Sequence, residues 1–269
     1  MSYKTQLAIT DKYARQLKRA YIQGIRDSKS QTDWDWVAKN VPYGYQAVYN
    51  AIVWHSWWPI PTLSKAYNDM WHKMEVKKES GVINPEDFML PNPAAEQWML
   101  KYAASEVTGI LDKDKEMLRN VIYEGQRDLK TNKETAERIR DHLGLTEGQE
   151  KAVDNYRKTL VKQGKTTAQI DKLTERYYSK LLTYRAETIS ITESHTATSQ
   201  AWIDYTQYAY RRGVLTNYQL EWLATPSDRT CPICMGMNRK TGSIESGTVE
   251  GHKPPYHARC RCVLITTRV

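Results

Sequence analysis

The first 230 residues of this 269-residue chain contain no cysteine. No apolar run approaches the roughly 18 to 20 residues a membrane-spanning helix needs, so no spanning helix is expected. The N-terminal stretch MSYKTQLAITDKYARQLKRA is charged throughout and has no apolar core of the secretory kind. That points to synthesis in a reducing cytoplasm, where clustered cysteines favour metal over disulfide. No repeat of fixed period and no low-complexity tract is present, which argues against a repeat array.

What is present is ordinary for a soluble globular protein: 40% hydrophobic and 26% charged residues. The length allows one large or two modest domains. Net charge is +8, and it is unevenly placed. Residues 211–269 hold nine Lys or Arg against four Asp or Glu. Such a patch attracts polyanions by releasing counterions, which makes nucleic acid a plausible neighbour; a solvated basic surface is the alternative.

Residues 1–95 are helical in tendency and rich in aromatics, with six of the nine tryptophans between Trp34 and Trp71. Such a cluster reads first as core and second as a partner-binding surface. The stretch EVKKESGVINPEDFMLPNP reads as a loop, and a helical body is expected over 96–213. Two capping boxes mark helix starts there, Thr131 with Glu134 and Thr146 with Gln149. Gly164 breaks the pattern. Ile170, Leu173, Tyr177, Leu181 and Tyr184 then recur as one apolar face of a helix that should stop at Gly213. Beyond it, NYQLEWLAT and CRCVLITTRV read as strands around a turn-rich stretch, giving a small β module over 214–269.

All four cysteines lie in that module. Cys231 and Cys234 have the spacing that lets two thiolates face one cation, and His257, Cys260 and Cys262 offer three more ligands. Four cysteines, or three with the histidine, would complete a structural zinc tetrahedron with no open position. The spacing alone leaves open which four bind, and two disulfides or reduced buried thiols are the competing reading. A module of this size has little core of its own, so a staple matters. Enzymatic readings find less support. A nuclease would need a base and a carboxylate set, for which Asp228 and His252 are the nearest residues and do not fall into recognisable roles. The region lacks a Glu-x-Glu element for ADP-ribosyl transfer, and no βαβ unit surrounds the CPIC motif.

Three ordered motifs, RAETISITE, DRTCPIC and PPYHARCRC, resemble the phage Mu F-type minor head proteins, a head-morphogenesis family. Arg185, Ala186, Glu187, Thr188, Ile189, Thr192 and Glu193 match the helix element. Trp222, Asp228, Arg229, Thr230, Cys231, Pro232 and Cys234 match the middle, and Pro254, Pro255, His257, Cys260, Arg261 and Cys262 the end. The likeness covers roughly residues 130–269, with Ser190 and Ile191 standing where many members carry Ala and Arg. The resemblance implies a minor capsid component, encoded beside the portal protein, with no catalytic activity.

The expected architecture is therefore mainly α: a helical body with a small C-terminal zinc-stapled β module. On the helix, Glu193 shares a stripe with Ala186, Ile189 and Ala197, so its carboxylate is expected to turn inward toward Arg229 or Arg261, with Trp222 completing the contact. The adjoining stripe of Arg185, Thr188, Thr192, His195 and Ser199 is polar, and solvent is its simplest neighbour. Arg239, Lys240, Lys253 and Arg268 are the candidate DNA contacts. The expected partners are the portal, the major capsid protein and packaged double-stranded DNA bound without sequence preference, with several copies inside the virion head. The rival readings are a zinc-containing nuclease or toxin-like effector delivered with the genome, and a zinc-ribbon DNA-binding protein.

Overall fold

The computed structural model describes residues 2–54, 60–73, 98, 112–225 and 230–269. Helices α1 (Tyr3–Gln31), α2 (Trp34–Asn40), α3 (Tyr45–Ala51) and α4 (Ile60–Lys73) come first. A helix through residues 112–127, here α5, leads to α6 (Asn132–His142), α7 (Glu147–Lys162) and the 45-residue α8 (Thr167–Arg211). The C-terminal part holds β1 (Tyr218–Leu223), α9 (Pro232–Met237), β2 (Thr241–Gly242) and β3 (Val263–Arg268). No described helix is long and apolar enough to cross a membrane. The loop read at 75–93 lies outside the described residues, as do Trp57 and Trp58.

The chain forms two compact units, interleaved in sequence where three consecutive segments were expected. One combines residues 18–57 with 103–186. Its core packs Val37, Val41, Val48 and Ile52 against Met117, Leu118, Val121 and Ile122, with Ala136 and Ile139 of α6 and Leu143 just after it. The Thr131 capping box forms as expected: the Thr131 amide donates to Glu134 at 2.8 Å, and the Glu134 amide donates to the Thr131 hydroxyl at 3.2 Å. At the second box the Thr146 amide donates to the Gln149 side chain at 3.2 Å. Trp34 and Trp54 pack on this core, while Trp36 is 53% exposed, so the aromatic cluster divides between core and surface.

The first part of α8 is turned one residue from the expected face. Ile170 is buried, but so are Tyr178 and Leu182, whereas Tyr184 is 55% exposed. Apolar residues stand side by side here, Tyr177 with Tyr178 and Leu181 with Leu182, so periodicity alone cannot choose between them. Packing does: the Tyr178 hydroxyl donates to the Leu143 carbonyl at 2.8 Å, and Tyr177 rests against the Tyr156 ring.

The other unit comprises residues 1–17, 58–102 and 187–269. β1 is the central strand of a three-stranded antiparallel sheet in the order β2-β1-β3, with Leu220 opposite Thr266 and Trp222 opposite Leu264. Leu220, Trp222 and Ala224 share the buried face, as their alternation requires. They do not form a separate core. One cluster joins them to Tyr13 and Leu17 of α1, Tyr67 and Met70 of α4, Ala197 and Ala201 of α8, and Cys234, Cys260 and Cys262. The small residues of α8 let the sheet approach that helix closely. Arg212, Gly213 and Val214 end it, with Gly213 at φ +76° and the Val214 amide donating to the Ala209 carbonyl at 3.0 Å, a left-handed glycine stop at the expected place.

Candidate metal centre

Cys231 sits just before α9 and caps it, its sulfur accepting from the Cys234 amide at 3.4 Å. Pro232 follows at the first helical position, where its missing N–H costs nothing. This short helix was not expected from the sequence, although Cys-Pro at its start is a helix-opening signal. It brings Cys234 one turn from Cys231. His257 and Cys260 come from the loop before β3, and Cys262 directly precedes that strand.

No disulfide joins the four cysteines. His257 Nε2 lies 3.3 Å from the sulfur of Cys231 and 3.3 Å from that of Cys234, and the sulfurs of Cys234 and Cys260 are 3.8 Å apart. Around one zinc ion, tetrahedral sulfur–sulfur edges are about 3.7 Å and sulfur–nitrogen edges about 3.5 Å, from the usual bond lengths. Two triads emerge, Cys231 with Cys234 and His257, and Cys234 with Cys260 and Cys262. Cys234 belongs to both, so the five side chains are close enough to hold a metal, with Cys234 at the centre of the set.

The electrostatics fit a cation. Burial pushes the Cys234 thiol up to about 12, while the Cys262 thiol and nearby amides hold Cys260 down at about 4. Cys262 is pushed up by the neighbouring Cys260 sulfur and by burial. Sulfurs packed this closely cannot all be ionised without a positive charge among them, so a metal would displace protons as it binds. Thiolate and imidazole donors together suit a borderline-soft ion.

The ligand loop is held on α8 by a ladder of polar contacts. The Arg259 amide donates to Thr192 Oγ1 at 3.0 Å, and His195 Nδ1 bonds the Cys260 carbonyl at 2.7 Å. Lys253 donates to Gln200 at 2.7 Å, and Gln207 to the Glu245 carbonyl at 2.8 Å. Gly247, at φ +65°, passes so close to α8 that a Cβ would stand 2.7 Å from Ile203. The polar stripe, for which solvent was the simplest neighbour, thus carries contacts to the module, which was expected to dock on this helix. His195 and Ser199 are 1% and 7% exposed, and Arg185 is buried in the other unit.

Of the residues expected to join helix and module, Glu193 is 7% exposed and Trp222 fully buried. Arg261 turns elsewhere: its fork closes on Asp11 of α1, with Nη2 2.9 Å from Oδ2. Asp228 and Arg229 lie outside the described residues. His252 pairs through its backbone with Val249 and rests edge-on against Tyr256, the role of a hairpin residue. Among the candidate DNA contacts, Arg239 pairs with Glu221 at 2.6 Å, Lys240 with Glu250 at 2.8 Å, and the Arg268 guanidinium lies over the Tyr218 ring.

A direct comparison follows on α8. Glu193→Ala removes a buried carboxylate and should lower stability by about 1 to 3 kcal/mol. Glu187, whose 3.5 Å pair with Arg259 is 36% exposed on both sides, should cost at most about 1 kcal/mol. Urea melts giving equal, small losses for both would show that the burial of Glu193 carries no energetic weight.

These features define a helical protein whose C-terminal cysteine–histidine module is docked on a long helix. The chain matches the family described as Phage Mu protein F like protein over residues 115–265, more than half its length. It belongs to that phage Mu F-type head-morphogenesis family. Comparison with curated proteins and with solved structures returns no match.

Proposed function

We propose that the protein is a minor component of a tailed-phage head, built in near the portal during assembly and present in several copies per virion. The family match carries this reading, because it spans both the helical body and the cysteine module. In it the module is structural. A zinc ion held by Cys231, Cys234 and His257 with Cys260 or Cys262 would fix the ligand loop on α8, and no reaction is assigned to the chain. Portal protein, major capsid protein and packaged DNA are the proposed partners. Co-expression with the portal and major capsid proteins of the same phage tests it. The chain should co-purify with assembled heads and cross-link to the portal. Heads that form normally and exclude it would overturn the reading.

Contact with DNA is the finer part of the proposal, supported by the basic bias of residues 211–269. Binding should be independent of sequence and weaken steeply with salt, by about 0.9 in the log–log slope per phosphate contact. Changing Arg239, Lys240, Lys253 and Arg268 together to Gln should flatten that slope by up to about 3 to 4. An unchanged slope would leave Arg239 and Lys240 to their pairs with Glu221 and Glu250, Lys253 to Gln200 and Arg268 to the Tyr218 ring.

A further inference from the structure

The geometry points to a second cation site, in the other unit, formed by His142, Glu150 and Asp154. We propose that it binds one divalent first-row cation through an imidazole nitrogen and two carboxylate oxygens. His142 ends α6, while Glu150 and Asp154 stand one turn apart on α7. One ligand atom from each of the three lies within 4.8 Å of the other two. His142 and Glu150 are 4% and 1% exposed.

The tautomer of His142 is set by its neighbour. Nδ1 lies 2.7 Å from the Arg138 carbonyl, which can only accept, so Nδ1 carries a proton. In the neutral ring Nε2 is then a lone pair. It stands 3.2 Å from Asp154 Oδ1, an ion pair when the ring is protonated and, in the neutral ring, a lone pair set against a carboxylate. A lone pair facing a carboxylate in a buried place calls for a positive charge between or beside them. Two ligands at about 2.1 Å from one ion are separated by roughly 3.0 Å at a right angle and 3.4 Å at a tetrahedral one, which brackets the observed gap. A histidine that gives its other N–H to a backbone carbonyl is the usual arrangement for a metal ligand.

Charge count agrees. Arg138 Nη2 contacts Glu124 at 2.8 Å, Asp154 Oδ2 at 2.8 Å and Glu150 Oε1. One guanidinium thus faces three carboxylates, leaving two negative charges in surplus, the charge of one divalent ion. Arg138 takes Oδ2 of Asp154 and Oε1 of Glu150, which leaves Oδ1 of Asp154 facing the imidazole. Access is provided by a cleft of about 610 Å³ bordered by His142, Asp154 and Arg138, whose lining holds seven carboxylates against four Lys or Arg. Such a cleft concentrates cations.

Mn2+ is the probe, because it prefers nitrogen and oxygen donors and competes poorly for the cysteine site. The full chain, purified with its cysteine site intact, should take up one Mn2+ by electron paramagnetic resonance titration. The bound ion should show coupling to an imidazole nitrogen, a signature that needs no variant. Asp154→Asn and His142→Gln should each weaken binding at least about 10-fold, with helix content by circular dichroism confirming that the variants fold. Absence of a stoichiometric Mn2+ site overturns the proposal. So does bound Mn2+ without nitrogen coupling, or a His142 ring found doubly protonated at neutral pH and unmoved by Mn2+.

Discussion

Cys234→Ser should strip amide protection from the C-terminal module while leaving the helices of the other unit folded. Cys234 is the one side chain common to both ligand triads, so its loss breaks the set in two. Structural zinc contributes on the order of 10 kcal/mol to small metal-bound domains, more than a three-stranded sheet with a two-residue edge strand can supply. The effect should spread into α8. Leu220 and Trp222 share a core with Ala197 and Ala201, so that part of the helix loses its cover when the sheet lets go. Hydrogen exchange should therefore show fast amides over 218–268 and intermediate ones near 197–209. Amides of α6 and α7, whose own unit keeps its core, should stay slow. Protection retained over 218–268 would mean that apolar packing holds the module without a metal.

Asp114→Ala should destabilise the other unit by about 3 to 5 kcal/mol. Arg185 and Asp114 form a 2.8 Å ion pair, with side chains 6% and 5% exposed. Burial pushes the Asp114 carboxyl up, and Arg185 offsets this only in part. The pair therefore adds little net stability while it is intact, yet is costly to break, because a lone guanidinium would stay buried beside the Tyr21 ring. Adding Arg185→Leu should recover most of the loss. Denaturant melts of the two single variants and the double variant measure this directly. A loss below about 1 kcal/mol for Asp114→Ala, or no recovery in the double variant, would contradict it.

The cysteine–histidine cluster was legible because its members are rare residues at fixed spacing: with cysteine confined to residues 231–262, few arrangements remain. Strand β1 and both capping boxes were legible for a similar reason, since each is a local pattern of period two or three. The docking face of α8 was not. Thr192 and His195 look like part of a solvated stripe until the ligand loop supplies a backbone amide to one and a carbonyl to the other, and main-chain partners leave no trace in side-chain chemistry. The Arg261–Asp11 pair joins residues 250 positions apart. Glu193 stands out by lying in a motif, whereas Asp11 is an ordinary charge on α1. The two interleaved units were hidden for the same reason, since α1 and α8 each divide between them and neither changes composition at the division.

X-ray absorption at the zinc edge, on full-length protein prepared without chelator, tests the metal staple most directly. One zinc per chain with a four-coordinate first shell is expected: three sulfurs at about 2.3 Å and one nitrogen at about 2.0 to 2.1 Å. His257 is expected to supply the nitrogen, since its Nε2 lies 3.3 Å from each of the sulfurs of Cys231 and Cys234. Protein without bound zinc, whose mass shows the four cysteines oxidised to two disulfides, would contradict the account.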